Sequence, residues 1–298
     1  MKKMLFVMNP YAGTRRANKY LADIVSLFNA GGYEVTIYMT GGPGDASRLV
    51  QEHAAKHDVV VCCGGDGTFN EAINGIMKSG CSLPLGYIPA GSTNDFAASL
   101  KLPSKIMEAA QLIVDGTPVS YDIGQFGSRY FSYVASFGAF TKVSYSTPQN
   151  IKNALGHAAY LLESIQELSQ IKPIHMRLQL EGEIIEDDFL FGAISNSTSM
   201  GGILTLDPKK VDMRDGKFEL LLVRAPRNLA EIPECIRAIQ SQTYNCSMIK
   251  FRSSPSVLAT SKQPLVWTLD GERSDAVTNV EIVNHCRVIQ LLQKGTLC

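Results

Sequence analysis

Over roughly the first 120 residues, short apolar runs alternate with stretches of helical periodicity. KMLFVMN, YEVTIYMT, DVVVCC and LPLGYIPA read as strands. Between them, Leu21, Ile24, Val25 and Phe28 share one helical face and Gly31-Gly32 ends it. Asp45 is placed to cap a helix carrying Leu49, Val50 and Ala54. Phe69, Ala72, Ile73, Ile76 and Met77 keep helical spacing, as does SKIMEAAQLIVDG. Repeated βα units with continuous apolar strands predict a parallel, doubly wound sheet with helices on both faces. Ligands of such sheets bind where loops leave the carboxyl ends of the strands.

The pattern changes near residue 120. VSYDIGQFGSRYFSYVASFGAF is aromatic and strand-like. IHMRLQL and EIIEDDFLFGAIS flank Glu181-Gly182 as a hairpin. KFELLLVR, MIKFRSS, SVLATS, PLVWTL and NVEIVN continue the β pattern, with helices expected at about 150–168 and 232–240. This half is expected to be an antiparallel β-sandwich. The predicted organisation is an α/β domain over 1–120, rejoined by about 288–298, and a β domain over 121–287.

Composition narrows the function. Of 298 residues, 45% are hydrophobic and 19% charged, as in ordinary globular proteins. Lys plus Arg and Asp plus Glu each total 28, so no basic excess favours nucleic acid. Lys2 and Lys3 precede an apolar run too short for a signal peptide, and no stretch approaches the roughly 20 apolar residues of a membrane span. Seven cysteines without CxxC spacing read as reduced thiols of a cytoplasmic protein. His53 and His57 read as surface histidines at a helix end, not metal ligands.

Three turns carry candidate chemistry. Asn9-Pro10-Tyr11-Ala12-Gly13 follows the first strand; Pro10 fixes the turn and Gly13 permits close backbone approach. Gly64-Gly65-Asp66-Gly67-Thr68 follows the third strand and lacks the lysine of a P-loop. Its glycines free N–H groups for an anion, and Thr68 offers a hydroxyl. Asp66 repels phosphate unless Mg²⁺ or water lies between, and magnesium is typically held by one or two carboxylates plus substrate phosphates. Gly91-Ser92-Thr93-Asn94-Asp95 follows the fourth strand, where Ser92 or Thr93 could bind phosphate and Asp95 could join Asp66 in ordering a metal.

Together these turns, with Asn70-Glu71 after the second, resemble the catalytic domain of diacylglycerol kinases and the bacterial soluble lipid kinases related to sphingosine kinases. GGDGT alone is shared with NAD kinases and phosphofructokinases. Ser92 stands where the family pattern G-T-x-N-D has threonine, and Met200 in SMGGIL where the family commonly has a third glycine. The resemblance implies ATP and Mg²⁺ as cofactors. Asn9, Pro10, Gly13, Thr40, Gly64, Gly65, Asp66, Gly67, Thr68, Asn70, Glu71 and Ser92 would hold the nucleotide, and Asp66, Asp95 and Asp122 would order the metal and its waters. Asp270-Gly271-Glu272, by itself a hairpin turn, matches the family's D-G-E, which makes Glu272 the base. Asp215, with the carbonyls of Asp212 and Lys217, would bind a structural Mg²⁺. The expected partner is a lipid at the cytoplasmic membrane face, met peripherally and reversibly, with no nucleic acid; a homodimer is open. An NAD kinase-like enzyme and an inactive nucleotide-binding regulator are the alternatives.

Overall fold

A computed structural model describes residues 1–138, 172–200, 204–206, 211–228 and 230–294. The expected helix at 150–168 and the centre of the SMGGIL loop lie outside them. The chain forms two compact units, 1–123 with 285–298, and 124–284.

In the first unit, β1 (Lys2–Met8), β2 (Tyr33–Met39), β3 (Val59–Gly64) and β4 (Pro84–Pro89) form a parallel sheet in the order 4-3-1-2. The last part of the long final strand adds beside β4, with Gln290 opposite Pro84. Alternate residues of β1 feed opposite faces, because strand side chains alternate. Met4, Phe6 and Met8 pack with Ile24 and Phe28 of α1 (Leu21–Ala30) and Ala109, Ala110 and Ile113 of α5 (Ile106–Asp115). Leu5 and Val7 are fully buried on the other side, where α2 (Asp45–His53) and α3 (Asp66–Ser79) lie against β1 and β3. Right-handed crossovers require this split: the chain moves one way from β1 to β2 and the other way from β2 to β3 and β4. The expectation for Asp45 is corrected in detail. Gly44 is the N-cap residue of α2, and Asp45, its first residue, accepts the amides of Gly41 and Gly42 at 2.8 and 3.1 Å.

Short α4 (Asp95–Ser99) and α5 lead from β4 to β5 (Thr117–Phe126), which enters the second unit. There β6 (Arg129–Phe131), β7 (Val134–Gly138), β8 (Ile174–Gln179) and β9 (Ile184–Ser195) follow. A two-residue strand pair comes next, β10 (Ser199–Met200) and β11 (Leu204–Thr205). Then come β12 (Phe218–Arg224), α6 (Glu231–Gln240), β13 (Ile249–Ser254), β14 (Ser256–Leu269) and β15 (Glu272–Gln293). Among the described residues, β5–β6, β7–β9, β8–β9, β9–β12, β12–β13, β7–β14, β8–β14 and β14–β15 pair antiparallel, and β8 turns into β9 at Glu181-Gly182. SVLATS and PLVWTL, read as two strands, are one. Its register on β15 shifts between Thr260 and Leu265, around Pro264, which has no N–H for the ladder. NVEIVN is part of a strand of 22 residues.

β9 and β14 are long enough to serve both layers of the sandwich: each pairs with β8 along one half and β7 along the other. Their inward residues enclose a core around Trp267, which sits 4.7 Å from Phe137 and 5.3 Å from Phe126 by ring centroids. Every described cysteine is a free thiol. No helix among the described residues is long and apolar enough to cross a membrane.

Candidate active site

The register of the parallel sheet sets its edge. Met8 lies opposite both Met39 and Cys63, and Gly64 lies opposite Pro89. The residues that follow these positions therefore emerge side by side: Asn9, Thr40, Gly65 and Ala90. Backbone bonds lock the exits together, from Asn9 N to Cys63 O (2.8 Å), Thr40 N to Met8 O (2.9 Å) and Ala90 N to Gly64 O (2.7 Å). β1 and β3 are also where strand order reverses, the crevice in which open α/β sheets bind ligands.

Here the three turns meet. Asn9 Oδ1 accepts the Tyr11 amide at 2.9 Å, closing the NPYAG turn, and Asn9 Nδ2 donates to Thr68 Oγ1 at 3.0 Å. Gly13 has φ +51°, and a Cβ there would strike the Ala90 carbonyl. A Cβ on Gly91 would stand 2.5 Å from the Gly65 Cα. Asn94, itself left-handed at φ 54°, closes the third turn by accepting the Gly91 amide at 2.9 Å and donating to the Gly91 carbonyl at 3.0 Å. Asn70 is buried and Ser92 exposed.

The sequence expectation placed Asp66 within a phosphate loop, and the structure adds its partner. Its two oxygens accept the amides of Asp95 (3.1 Å) and Phe96 (3.2 Å), so it caps α4 from another loop. Burial pushes the Asp66 carboxyl up, and the amides of Phe96, Asp95 and Asn94 pull it back. No side-chain cation is among these influences. The amides of Gly67 and Thr68, in the first turn of the 14-residue α3, have no intrahelical acceptor and suit an anion. A half-desolvated carboxylate beside free amides fits a hydrated Mg²⁺ escorted by phosphates. Among the described residues no three Asp, Glu, His or Cys side chains gather to hold a metal directly. A single carboxylate beside free amides suits an ion that keeps most of its waters.

The remaining predicted residues make these contacts. Glu71 spends both oxygens on the N-terminus of α2, accepting Gly44 N at 2.7 Å and Ala46 N at 3.0 Å; this sets the loop that follows Thr40. Asp122, buried on β5, accepts the Arg287 amide at 2.7 Å and ties in the returning strand. In the exposed 212–217 loop, Asp212 Oδ1 accepts the Arg214 amide and Asp215 Oδ1 the Lys217 amide, at 3.0 and 2.9 Å. The Lys217 carbonyl accepts Asn284 Nδ2 at 3.0 Å. These oxygen donors are the hard set that magnesium takes.

Asp270 and Gly271 form the turn between β14 and β15, with φ 48° and 88°, as a type I′ hairpin requires. Beside Glu272, the sequence reading gives Asp270 no role of its own and does not name Arg129. Asp270 is buried and collects the Ser132 amide (2.5 Å) and hydroxyl (2.7 Å) and the amides of Tyr133 (3.0 Å) and Val134 (2.9 Å). Burial still pushes its carboxyl up to about 6. Arg129 Nη2 lies 3.2 Å from Glu272 Oε2, and Nη1 donates to the Arg273 carbonyl at 3.0 Å. The D-G dipeptide of a hairpin flagged Asp270; nothing local flagged Arg129.

Residues 3–126 match the diacylglycerol kinase catalytic domain, and residues 134–291 match the YegS C-terminal NAD kinase beta sandwich-like domain. A diacylglycerol kinase of Bacillus subtilis (strain 168) is 30% identical over 300 residues, covering 99% of this chain and 98% of its own length. The chain belongs to the diacylglycerol kinase family. A relative of the same name from Staphylococcus aureus (strain bovine RF122 / ET3-1) is 33% identical, over 91% of this chain and 86% of its own. Two crystal structures from Bacillus anthracis str. Sterne share the fold. One has TM-score 0.81 at 24% identity and covers 100% of this chain and 99% of that one. The other, of a diacylglycerol kinase, has TM-score 0.76 at 21% identity and covers 100% and 98%. The diacylglycerol kinase family is one of lipid kinases. Membership makes this chain a phosphotransferase, a kinase that takes a nucleotide substrate.

Proposed function

We propose that this kinase transfers the γ-phosphoryl group of ATP to the free hydroxyl of diacylglycerol, giving phosphatidic acid. The observation that carries the reading is the meeting of three turns around Asp66 in a chain that matches its diacylglycerol kinase relatives over nearly its whole length. In this reading the Asn9, Thr40 and Gly65 turns receive the nucleotide, and the free amides of α3 take its phosphates. Asp66, with Asp95 and Asp122, would hold a hydrated Mg²⁺, which would supply charge compensation on the transferring group. Glu272 accepts the hydroxyl proton as the lipid oxygen bonds to phosphorus. The bond from the γ-phosphorus to its bridging oxygen breaks, and ADP leaves. Asp212, Asp215 and Lys217 would hold a second, structural Mg²⁺. The lipid is met at the cytoplasmic membrane face, peripherally and reversibly.

Radiolabelled ATP offered with diacylglycerol, ceramide, sphingosine, undecaprenol and NAD tests the reading. Labelled phosphatidic acid is expected; label appearing only in another acceptor removes diacylglycerol as the substrate. Glu272→Gln is expected to lower kcat by about 10²–10⁴. Turnover within a few-fold of wild type excludes Glu272 as the base.

A further inference from the structure

A base acts only if its carboxylate is already aimed, because displacement of about 1 Å can cost roughly a hundredfold in rate. Glu272 is a half-exposed side chain next to a two-residue turn, an arrangement with many rotamers of its own. The structure restricts it through one neighbouring segment. Residues 132–134 present two amides and then a third, with the Ser132 hydroxyl, to the buried Asp270 carboxylate. Val134 returns a carbonyl to the Asp270 amide at 2.9 Å. This fixes the root of the turn. Three residues earlier on the same segment, Arg129 spans the other side. One arm of its guanidinium holds Glu272 Oε2 and the other holds the Arg273 carbonyl, one residue further along. Carboxylate and backbone are thus gripped by one planar group. An ammonium, a point charge, cannot reproduce that fork.

We propose that Arg129 is a positioning residue for Glu272, presetting the base from a segment that Asp270 anchors. This rests on Glu272 being the base. Asp270 supplies a fixed reference, since its four donors leave it no second geometry. Arg129 supplies the aim.

The test is a double-mutant cycle on the full chain, read as kcat and KM for ATP and diacylglycerol in mixed micelles. Arg129 is partly exposed, and its ion pair with the half-exposed Glu272 contributes little to stability, so its variants are expected to fold; thermal melts monitor this. Arg129→Met is expected to lower kcat by about tenfold to a hundredfold, with both KM values within about threefold. Arg129→Lys is expected between Met and wild type. In the Glu272→Gln background, Arg129→Met is expected to cost nothing further, because its effect passes through Glu272. Three results overturn the inference: an unchanged kcat in Arg129→Met, a change confined to KM, or the same loss in both backgrounds, which would mean that Arg129 acts on substrate directly. Loss of kcat in Arg129→Met beside a fully active Glu272→Gln also overturns it, and overturns the base assignment with it. A dead Glu272→Gln beside an unaffected Arg129→Met leaves the base standing and removes only the role of Arg129.

Discussion

Asp66, half-buried, and Asp270, buried, are both carboxylates that accept backbone amides from a distant segment, yet their surroundings differ. Asp66 keeps company with amides that have no other acceptor, which suits a site awaiting charge. Asp270 is fully enclosed, and its donors are all used within the protein. The consequence for Asp270 is a pH dependence of stability. Its carboxyl rises from the ordinary 3.8 to about 6, so between these values the folded state binds more protons than the unfolded state. Stability from this group is therefore present at low pH and lost as pH rises through about 6, with a full size on the order of 3 kcal/mol. Asp270→Asn removes that linkage. It also turns an NH₂ group toward amides that need an acceptor, and each unsatisfied buried donor costs about 1–3 kcal/mol. Urea unfolding should show the variant less stable at pH 7, and the wild-type advantage larger at pH 5. An advantage that does not change with pH would mean Asp270 titrates as an ordinary carboxylate. The single tryptophan, Trp267, buried three residues before Asp270, provides the fluorescence signal.

At the scale of elements, the parallel strands were legible because each is a continuous apolar run. The turns between them were legible because glycine and proline mark them. The GGDGT and GSTND stretches could be placed at strand ends by counting alone. Their contact could not, since nothing near Gly91 in sequence reveals that Gly65 lies against it. For the same reason the sequence could not show that the Glu71 carboxylate caps a helix beginning 26 positions earlier. The split reading of β14 failed for a local reason: Pro264 ends most strands, and here a register shift absorbs it. The contact of the two glycine turns gives a direct prediction. Gly91→Ala places a methyl group 2.5 Å from the Gly65 Cα and 2.8 Å from Asn94 Oδ1. Overpacking of this kind costs about 1–3 kcal/mol, which lowers the melting temperature by several degrees. Because the turns separate, calorimetry should also show ATP affinity falling by about tenfold. Gly42→Ala meets nothing within 4 Å and is expected to melt with wild type. Equal melting of both variants would show that the turns tolerate separation.

At the scale of the whole molecule, the chain leaves its first unit at Ile123 and re-enters it at His285. The match to the catalytic domain ends at residue 126, before that return. Yet the returning strand completes the parallel sheet: Gln290 and Leu291 pair with Pro84 and Leu85. Ile289 (2% exposed), Leu291 (1%) and Leu292 (7%) are buried. Asp122 receives the Arg287 amide, and the Tyr121 hydroxyl donates to Gln293 Oε1 at 2.9 Å. Burying three such side chains contributes about 1.5–3 kcal/mol each, comparable to the 5–15 kcal/mol by which a whole domain is stable. A fragment of residues 1–126 would also expose the edge of β4, a template for aggregation. It should therefore fail to unfold cooperatively. A chain in which a short Gly/Ser linker joins Ile123 to His285 should fold, because the Asp122–Arg287 bond keeps those ends close. Circular dichroism melts of the two fragments decide the matter. A cooperative transition in residues 1–126, at the temperature of the joined fragment, would mean that the returning strand decorates the nucleotide-binding unit and does not complete it.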